Sequence, residues 1–445
     1  MRRILIGVLV AIASIASLPI GRMLADREET RSIHVKLAGG ADESAIAGHA
    51  DGRIGPLFLR PADALSPDLV AWRRIEVHGS RRGADRIVRE LLADPRIRTA
   101  FIAPDAQPAS IRGGIEDDGC PVKTPLYQPY QGYLSEAPRG INAPIAWSRP
   151  NGRGEGVSFA DIEGAWNFAH EDLPGDCMAH VGGPPIPSRD WESHGTAVAG
   201  VVAARDNGIG MLGIAPGIDR ILVASVGVIG PAAAIDLAQS KLPKGGVLLI
   251  ELHAIGPRDR WLPMEYWDDV YDAVKNATAR GIVVVEAAGN GAENLDHPAY
   301  ARKLDRRHRD SGAIMVGAGA PPEPGFVDRS RLDFSNYGTR VDVQGWGRKV
   351  ATLDYGDLQG CAQKDRKYTR TFSGTSSASP IVTGAAILLQ SIFSAAKGTT
   401  LSSIEIRDIL SATGSPQTDG PSGPKSQHIG PRPDLAKALE RIDRM

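Results

Sequence analysis

The sequence predicts an α/β protein: a mostly parallel sheet with helices on both faces, preceded by a small α+β unit. Three observations predict it. Apolar strand-like runs alternate with helical stripes over the larger, C-terminal part of the chain, as a parallel sheet requires. A polar, turn-rich stretch, Ala106 to Gly119 (AQPASIRGGIEDDG), separates that part from a shorter strand–helix–strand segment. The 445 residues are 42% apolar and 23% charged, ordinary for a soluble globular chain.

Taken in order, Arg2 and Arg3 precede an apolar run from Ile4 to Ile20, and Ala25 suits a cleavage site. Residues 1–25 therefore read as a secretory signal peptide, with an uncleaved anchor as the alternative. The expected location is secreted or periplasmic. Residues 26–115 form the small unit and its linker. Ser32 to Leu37 alternates as a strand does, and Val70 to His78 has a similar tendency. Gly83 to Asp94 puts Ile87, Val88, Leu91 and Leu92 on one helical stripe, and Arg98 to Ile102 returns as a strand. No internal repeat is evident. In residues 116–445 the strands are expected at 156–162, 221–226, 246–252, 281–286 and 313–316. Helices are expected at 194–204, 231–239, 267–280, 376–393 and 433–442. In such a sheet the functional site lies at the carboxyl ends of the strands.

Lys plus Arg is 51 and Asp plus Glu is 52, so the net charge of −1 gives no reason to expect nucleic acid, or a membrane beyond export, as partner. Three cysteines with no C-x-x-C pair exclude a disulfide scaffold and give no zinc motif.

Four segments carry chemistry. Gly156 to Leu173 (GVSFADIEGAWNFAHEDL) is a buried-type strand reaching Asp161. Ser193 to Pro216 opens a Gly- and Ala-rich helix with His194. Ile282 to Gly291 (IVVVEAAGNG) ends a strand in a turn at Asn290. Phe372 to Gln390 (FSGTSSASPIVTGAAILLQ) places Ser376 at the start of a long apolar helix. Serine needs a base to become a nucleophile, and histidine has the right pKa. A buried carboxylate orients the imidazole, and an amide side chain can stabilise an oxyanion.

HGTAVAG, AAGNG and GTSSASP, in the order Asp, His, Asn, Ser, closely resemble subtilisin-like serine peptidases. The resemblance runs from about Ala137 to the C-terminus. It implies a three-layer subtilisin-like fold and peptide-bond hydrolysis through an acyl-enzyme. It implies Ser376 as nucleophile, His194 as general base, Asp161 as orienting carboxylate and Asn290 as oxyanion donor. It also implies a substrate-binding role for Ala287, Ala288 and Gly289, a protein or peptide substrate, and a small propeptide at residues 26–115. As in other zymogens, that propeptide would inhibit its own enzyme and be cut between Ala106 and Thr124. No cofactor is required; Asp172 matches a position that binds calcium in some members, but no complete oxygen set can be read.

Two departures matter. The usual Asp-Thr/Ser-Gly reads Asp161-Ile162-Glu163-Gly164, and two extra residues precede His170-x-Asp172-Leu173. Counting back from that motif selects Glu163; the apolar strand ending at Asp161 favours Asp161. Glu251 and His253 stand where subtilases commonly have small residues. They and Glu265 either line a specificity pocket or form buried pairs. Ser377, Ser379 and His170 read as structural, and the run 302–309 as a solvated loop. Export permits one disulfide, and Cys177 with Cys361, both inside the family-like region, is the favoured pair. The alternative to an active endopeptidase is a subtilase-fold binding protein without activity.

Overall fold

The computed structural model describes residues 29–50, 53–110 and 120–445. The expected signal peptide lies outside the described residues. The chain divides into two compact units, residues 1–55 with 73–103 and residues 56–72 with 104–445. In the smaller, strands β1 (Glu29–Leu37), β2 (Ile54–Pro56), β3 (Trp72–Gly79) and β4 (Ile97–Ile102) form a sheet in the order β2-β3-β1-β4. The helix Arg81–Ala93 begins where Ser80 Oγ accepts the Gly83 N–H, a side-chain cap. Ile33, Val35, Ile75, Val77 and Leu91 fill the core of this unit. The predicted strand–helix–strand pattern is present, with β2 added.

The larger unit begins with two short pieces of chain. Residues 56–72 bury Leu57, Phe58 and Leu69. Arg60 grips the buried carboxylate of Asp236 with both Nε (2.7 Å) and Nη2 (2.6 Å), and Trp72 Nε1 donates to Asp272 (3.0 Å). Inside the expected linker, Gln107–Pro108 is a two-residue strand, β5.

Seven strands make the main sheet: β6 (Ser158–Glu163), β7 (Met178–Gly182), β8 (Arg220–Ser225), β9 (Val247–Ile250), β12 (Val283–Ala287), β13 (Ile314–Gly319) and β14 (Val343–Trp346). They lie in the order β14-β13-β12-β9-β6-β8-β7, and every neighbouring pair is parallel. Phe159, Val223, Leu249 and Val285 join one core cluster with residues of the helices Arg189–Ala203 and Thr375–Lys397. The alternate residues Ala160, Leu222, Leu248 and Val284 are equally buried and face the other side, where the helices Pro231–Lys241 and Asp268–Ala279 pack. That burial of both faces explains the unbroken apolar runs seen in the sequence. Between β9 and β12 the chain adds β10 (Leu252–Ile255) and β11 (Trp261–Pro263), which form a small antiparallel sheet with β5 in the order β11-β10-β5. β15 (Val350–Leu353) and β16 (Tyr368–Phe372) form a hairpin that leads into the helix of Ser376.

The disulfide differs from expectation: Cys120 pairs with Cys361, and Cys177 is free and half-buried. The reason lies in the stretch after Cys120, which is tied to the β15–β16 hairpin. Gln359 Nε2 donates to Thr124 Oγ1 (3.0 Å) and Arg366 Nη2 to the Pro121 carbonyl (2.8 Å). Cys177 instead sits at the mouth of the edge strand β7. The bridge spans 241 residues of sequence. Cys361→Ser should lower stability by about 2–4 kcal/mol, read in urea melts, while Cys177→Ser should leave it nearly unchanged. Peptide mapping without reduction should recover Cys120 linked to Cys361.

Candidate active site

β6, β9 and β12 are neighbours whose carboxyl ends are level: Ile162 pairs with Ile250, and Ile250 with Glu286. One residue further on lie Glu163, Glu251 and Ala287. His194 lies in the first turns of the helix Arg189–Ala203, which packs hard against the end of β6. A Cβ on Gly195 would stand 2.4 Å from the Ala165 carbonyl, and one on Gly164 would stand 2.4 Å from the Trp191 ring. Thr196 Oγ1 accepts the Asn167 N–H (2.9 Å), which completes the reason for His-Gly-Thr at this contact.

His194 Nδ1 donates to Glu163 Oε1 at 2.5 Å, and Glu163 Oε2 accepts the Gly164 N–H at 3.0 Å. Asp161, the expected orienting carboxylate, does not reach the histidine. Its Oδ2 accepts from Trp166 Nε1 at 2.7 Å. The correction has a simple cause. β6 continues two residues beyond Asp161, in register with β8 as far as Glu163 and Ser225, so Glu163 is the residue at the sheet edge. Counting back from His170-x-Asp172-Leu173 gives this answer. The Nδ1–Glu163 bond leaves His194 Nε2 as the basic nitrogen, and Nε2 has no partner among the described residues. Phe372 covers the imidazole edge-on, with centroids 5.6 Å apart.

Ser376 stands at the second residue of its helix, beyond Gly374 at φ 112°. Its Oγ donates to the Glu251 carbonyl at 3.0 Å. Ser377 Oγ and Ser379 Oγ donate to backbone carbonyls of Trp346 and Thr375, so neither faces the cleft chemistry. Asn290 Oδ1 accepts from Thr375 N–H (2.9 Å) and Thr375 Oγ1 (3.0 Å). Those two donors settle which way the amide points: Nδ2 faces the cleft.

The cleft holds part of the chain itself. Residues 107–108 pair antiparallel with β10, Pro108 opposite Leu252 and Gln107 opposite His253. Ala109 N–H donates to the Glu251 carbonyl (2.9 Å). The Ala109 carbonyl accepts from Asn290 Nδ2 (2.5 Å) and from Ser376 N–H (3.1 Å). Gly374 makes the approach feasible, since a Cβ there would stand 2.3 Å from that oxygen. A cavity of about 460 Å³ beside the segment is lined by residues including Asp190, Trp191, His253, Trp261 and Tyr355.

A model of the subtilase family matches residues 114–428. The chain belongs to the subtilase family. As a subtilase it is a serine-type endopeptidase, a hydrolase. It is 33% identical over 286 residues to the alkaline elastase YaB of Bacillus sp. (strain YaB), a match covering 63% of this chain and 65% of that protein. It is 30% identical over 283 residues to an intracellular serine protease of Paenibacillus polymyxa, covering 59% of this chain and 75% of the relative. In structure it resembles fervidolysin from Fervidobacterium pennivorans, a keratinolytic enzyme related to subtilisin, with a TM-score of 0.60 at 19% identity, over 93% of this chain and 61% of that one.

The other sequence candidates are distributed as follows. Glu265 forms a buried pair with Arg340, Nε to Oε1 at 2.5 Å, away from the cleft segment. Glu251 meets the segment in the cleft through its carbonyl, while its carboxyl lies buried beside Asp161. His253 accepts the Asn290 N–H (3.2 Å) and stacks on Trp261. Ala287, Ala288 and Gly289 are buried at the end of β12. His170 bonds the Lys367 carbonyl (2.8 Å). In the run 302–309, Lys303 and Arg309 both reach Asp268, so it is a network of local ion pairs. Asp172 Oδ1 is buried with no partner among the described residues. Its Oδ2 accepts the Met211 N–H, burial pushes its carboxyl up to about 7, and no cluster of three or more His, Cys, Asp or Glu gathers for a metal among the described residues.

Asp161 is fully buried, and burial together with the charge of Glu163 pushes its carboxyl up to about 7. Glu251 is held well above the usual carboxylate range by burial and by Asp161. A carboxyl raised in this way keeps a proton that the unfolded chain releases. Its stabilisation is therefore complete below the unfolded pKa and is lost as pH rises through the folded one. The melting temperature of the Ser376→Ala protein should fall between pH 5 and pH 8, and Asp161→Asn should reduce that fall. In activity assays at neutral pH, Glu163→Gln should cost about 10⁴ in kcat, because the wrong histidine tautomer is favoured, and Asp161→Asn about tenfold at most.

Proposed function

We propose that the protein is an exported serine endopeptidase made as a self-inhibited precursor, which cuts its own Ala109–Ser110 bond and then bonds in other proteins. One observation carries the reading: the Ala109 carbonyl sits between Asn290 Nδ2 and Ser376 N–H, at the nucleophile and beside a Glu163–His194 pair. Two donors aimed at one carbonyl oxygen are what stabilisation of an oxyanion requires.

In the reaction Ser376 Oγ turns from the Glu251 carbonyl, gives its proton to His194 Nε2 and attacks the Ala109 carbonyl carbon. Negative charge moves onto the Ala109 oxygen and is met by the two N–H donors. Glu163 stabilises the imidazolium through Nδ1. Collapse breaks the C–N bond, and His194 passes its proton to the Ser110 amine as it leaves. The resulting ester between Ala109 and Ser376 is hydrolysed by water, with His194 again as base and then acid. Substrates bind as extended strands on β10, in the manner of Gln107 and Pro108.

Several features support precursor status. The new carboxyl end at Ala109 would remain paired with β10, and the preceding residues 56–72 remain anchored through Arg60 and Asp236. The expected propeptide, residues 26–115, contains this cut, and the expected catalytic domain, 116–445, follows it. Residues 1–25 supply the export pattern. The Cys120–Cys361 bridge suits an oxidising compartment, and it is retained after the cut. A secreted or periplasmic location follows.

Wild-type mature protein should begin at Ser110 by N-terminal sequencing, and a fluorophosphonate should label Ser376 stoichiometrically. Ser376→Ala should accumulate as the uncut precursor; its processing in a protease-free preparation would exclude self-cleavage. Added in trans, residues 26–109 should inhibit the mature enzyme. Arg60→Ala in that segment should weaken inhibition about tenfold or more, since a charge-assisted contact to a buried carboxylate is lost.

A further inference from the structure

Ala109 has no exposed surface at all, while Gln107, Pro108 and Ser110 around it are partly exposed. A side chain without accessible surface borders no space wide enough for a water molecule. The subsite that receives the residue before the cut is therefore already filled by a methyl group.

What fills the rest of it is visible in the neighbouring elements. Ala109 is held by β10 through the Glu251 carbonyl and by the turn after β12 through Asn290 Nδ2. Those two elements are themselves bridged by His253 and by β11. The His253 ring stacks on Trp261 with centroids 4.2 Å apart and planes inclined by 18°, and its Nδ1 accepts the Asn290 N–H. β11 lies directly on the turn: a Cβ on Gly291 would stand 2.4 Å from the Trp261 carbonyl, and one on Gly289 would stand 3.3 Å from it. Asn336 Nδ2 locks the contact, donating to the carbonyls of Trp261 and Ala288 at 2.7 Å each. His253 is also kept neutral, because burial and the nearby His194 hold it down to about 3. The uncharged ring is thus held between β11 and the turn after β12, on the strand that pairs with residues 107–108.

We infer that this protein cleaves after alanine, glycine or serine and rejects larger residues at that position, with His253 and Trp261 setting the limit. The inference deepens the peptidase reading and rests on it. A larger side chain must push apart a stacked pair and a strand locked by Asn336. A packed site of this kind discriminates by a factor of about 100 or more.

The test uses processed enzyme whose active sites have been titrated with a fluorophosphonate. Internally quenched peptides carry the sequence of residues 105–112, with Ala, Leu or Phe at the position of Ala109. The expected result is cleavage of the Ala peptide between Ala and Ser, with kcat/KM for Leu and Phe lower by about 100-fold or more. His253→Gly should raise the Phe-to-Ala ratio by about tenfold or more; if that variant fails to fold, Trp261→Ala serves the same purpose. Wild-type cleavage of the Phe peptide within tenfold of the Ala peptide would overturn the inference. Discrimination that neither variant relaxes would overturn the assignment to His253 and Trp261. Ser376 that takes no label, with no peptide cut, means that the peptidase reading has failed and the specificity with it.

Discussion

The level ending of three neighbouring parallel strands is the constraint on which the site depends. Because all seven strands of the main sheet point the same way, their carboxyl ends collect at one edge. There Glu163, Glu251 and the turn to Asn290 emerge from β6, β9 and β12 side by side. Two helices then approach that edge, one bringing His194 and the other Ser376. Both approaches depend on missing side chains. Gly164 and Gly195 let the histidine helix rest on the end of β6, and Gly374 lets the chain before Ser376 pass against the Ala109 carbonyl. The site is thus a consequence of sheet direction plus a few absent Cβ atoms.

Three acids crowd beneath the histidine, and their arrangement decides where negative charge can reside. Asp161 and Glu163 point to the same face of β6, and Glu251 follows on the adjoining strand. Asp161 Oδ1 and both carboxyl oxygens of Glu251 have no N–H or O–H donor among the described residues. Burial raises both groups, and the charge of Glu163 raises them further; Asp161 also raises Glu251, whereas the Glu251 contact lowers Asp161. Two buried carboxyls that interact in this way resist ionising together. Glu163 differs: the Gly164 N–H and His194 Nδ1–H each meet one of its oxygens. Glu163 is thus the acid that the imidazole and a backbone N–H both reach.

A single backbone carbonyl links Ser376 to the segment in the cleft. The Glu251 oxygen accepts both Ser376 Oγ–H and Ala109 N–H. Ser376 is thereby turned toward β9 while the Ala109 carbonyl is seated between Asn290 Nδ2 and Ser376 N–H. Asn290 Oδ1 is anchored by Thr375, so that Nδ2 needs no search for its acceptor.

The sequence by itself determined the fold class, the strand and helix order, and the family. Buried parallel strands must be apolar on both faces, and helices that pack closely on them must carry Gly and Ala, so both leave contiguous signatures. His194, Asn290 and Ser376 were legible for the same reason, because each sits in a short run whose every residue answers a local steric demand. Tertiary structure alone decided between Asp161 and Glu163. An acid at an odd position of a buried strand looks the same in sequence whether it lies at the sheet edge or one repeat below it, and only the register with β8 tells them apart. It also decided that Cys120 meets Cys361, and that Gln107 to Ser110 lie in the cleft. Those pairings join residues far apart in sequence, Cys120 and Cys361 by 241 positions and Asn290 and Ala109 by 181. Nothing local in a polar, turn-rich stretch says which distant strand it will join, because backbone hydrogen bonds can be made to any free edge that comes within reach.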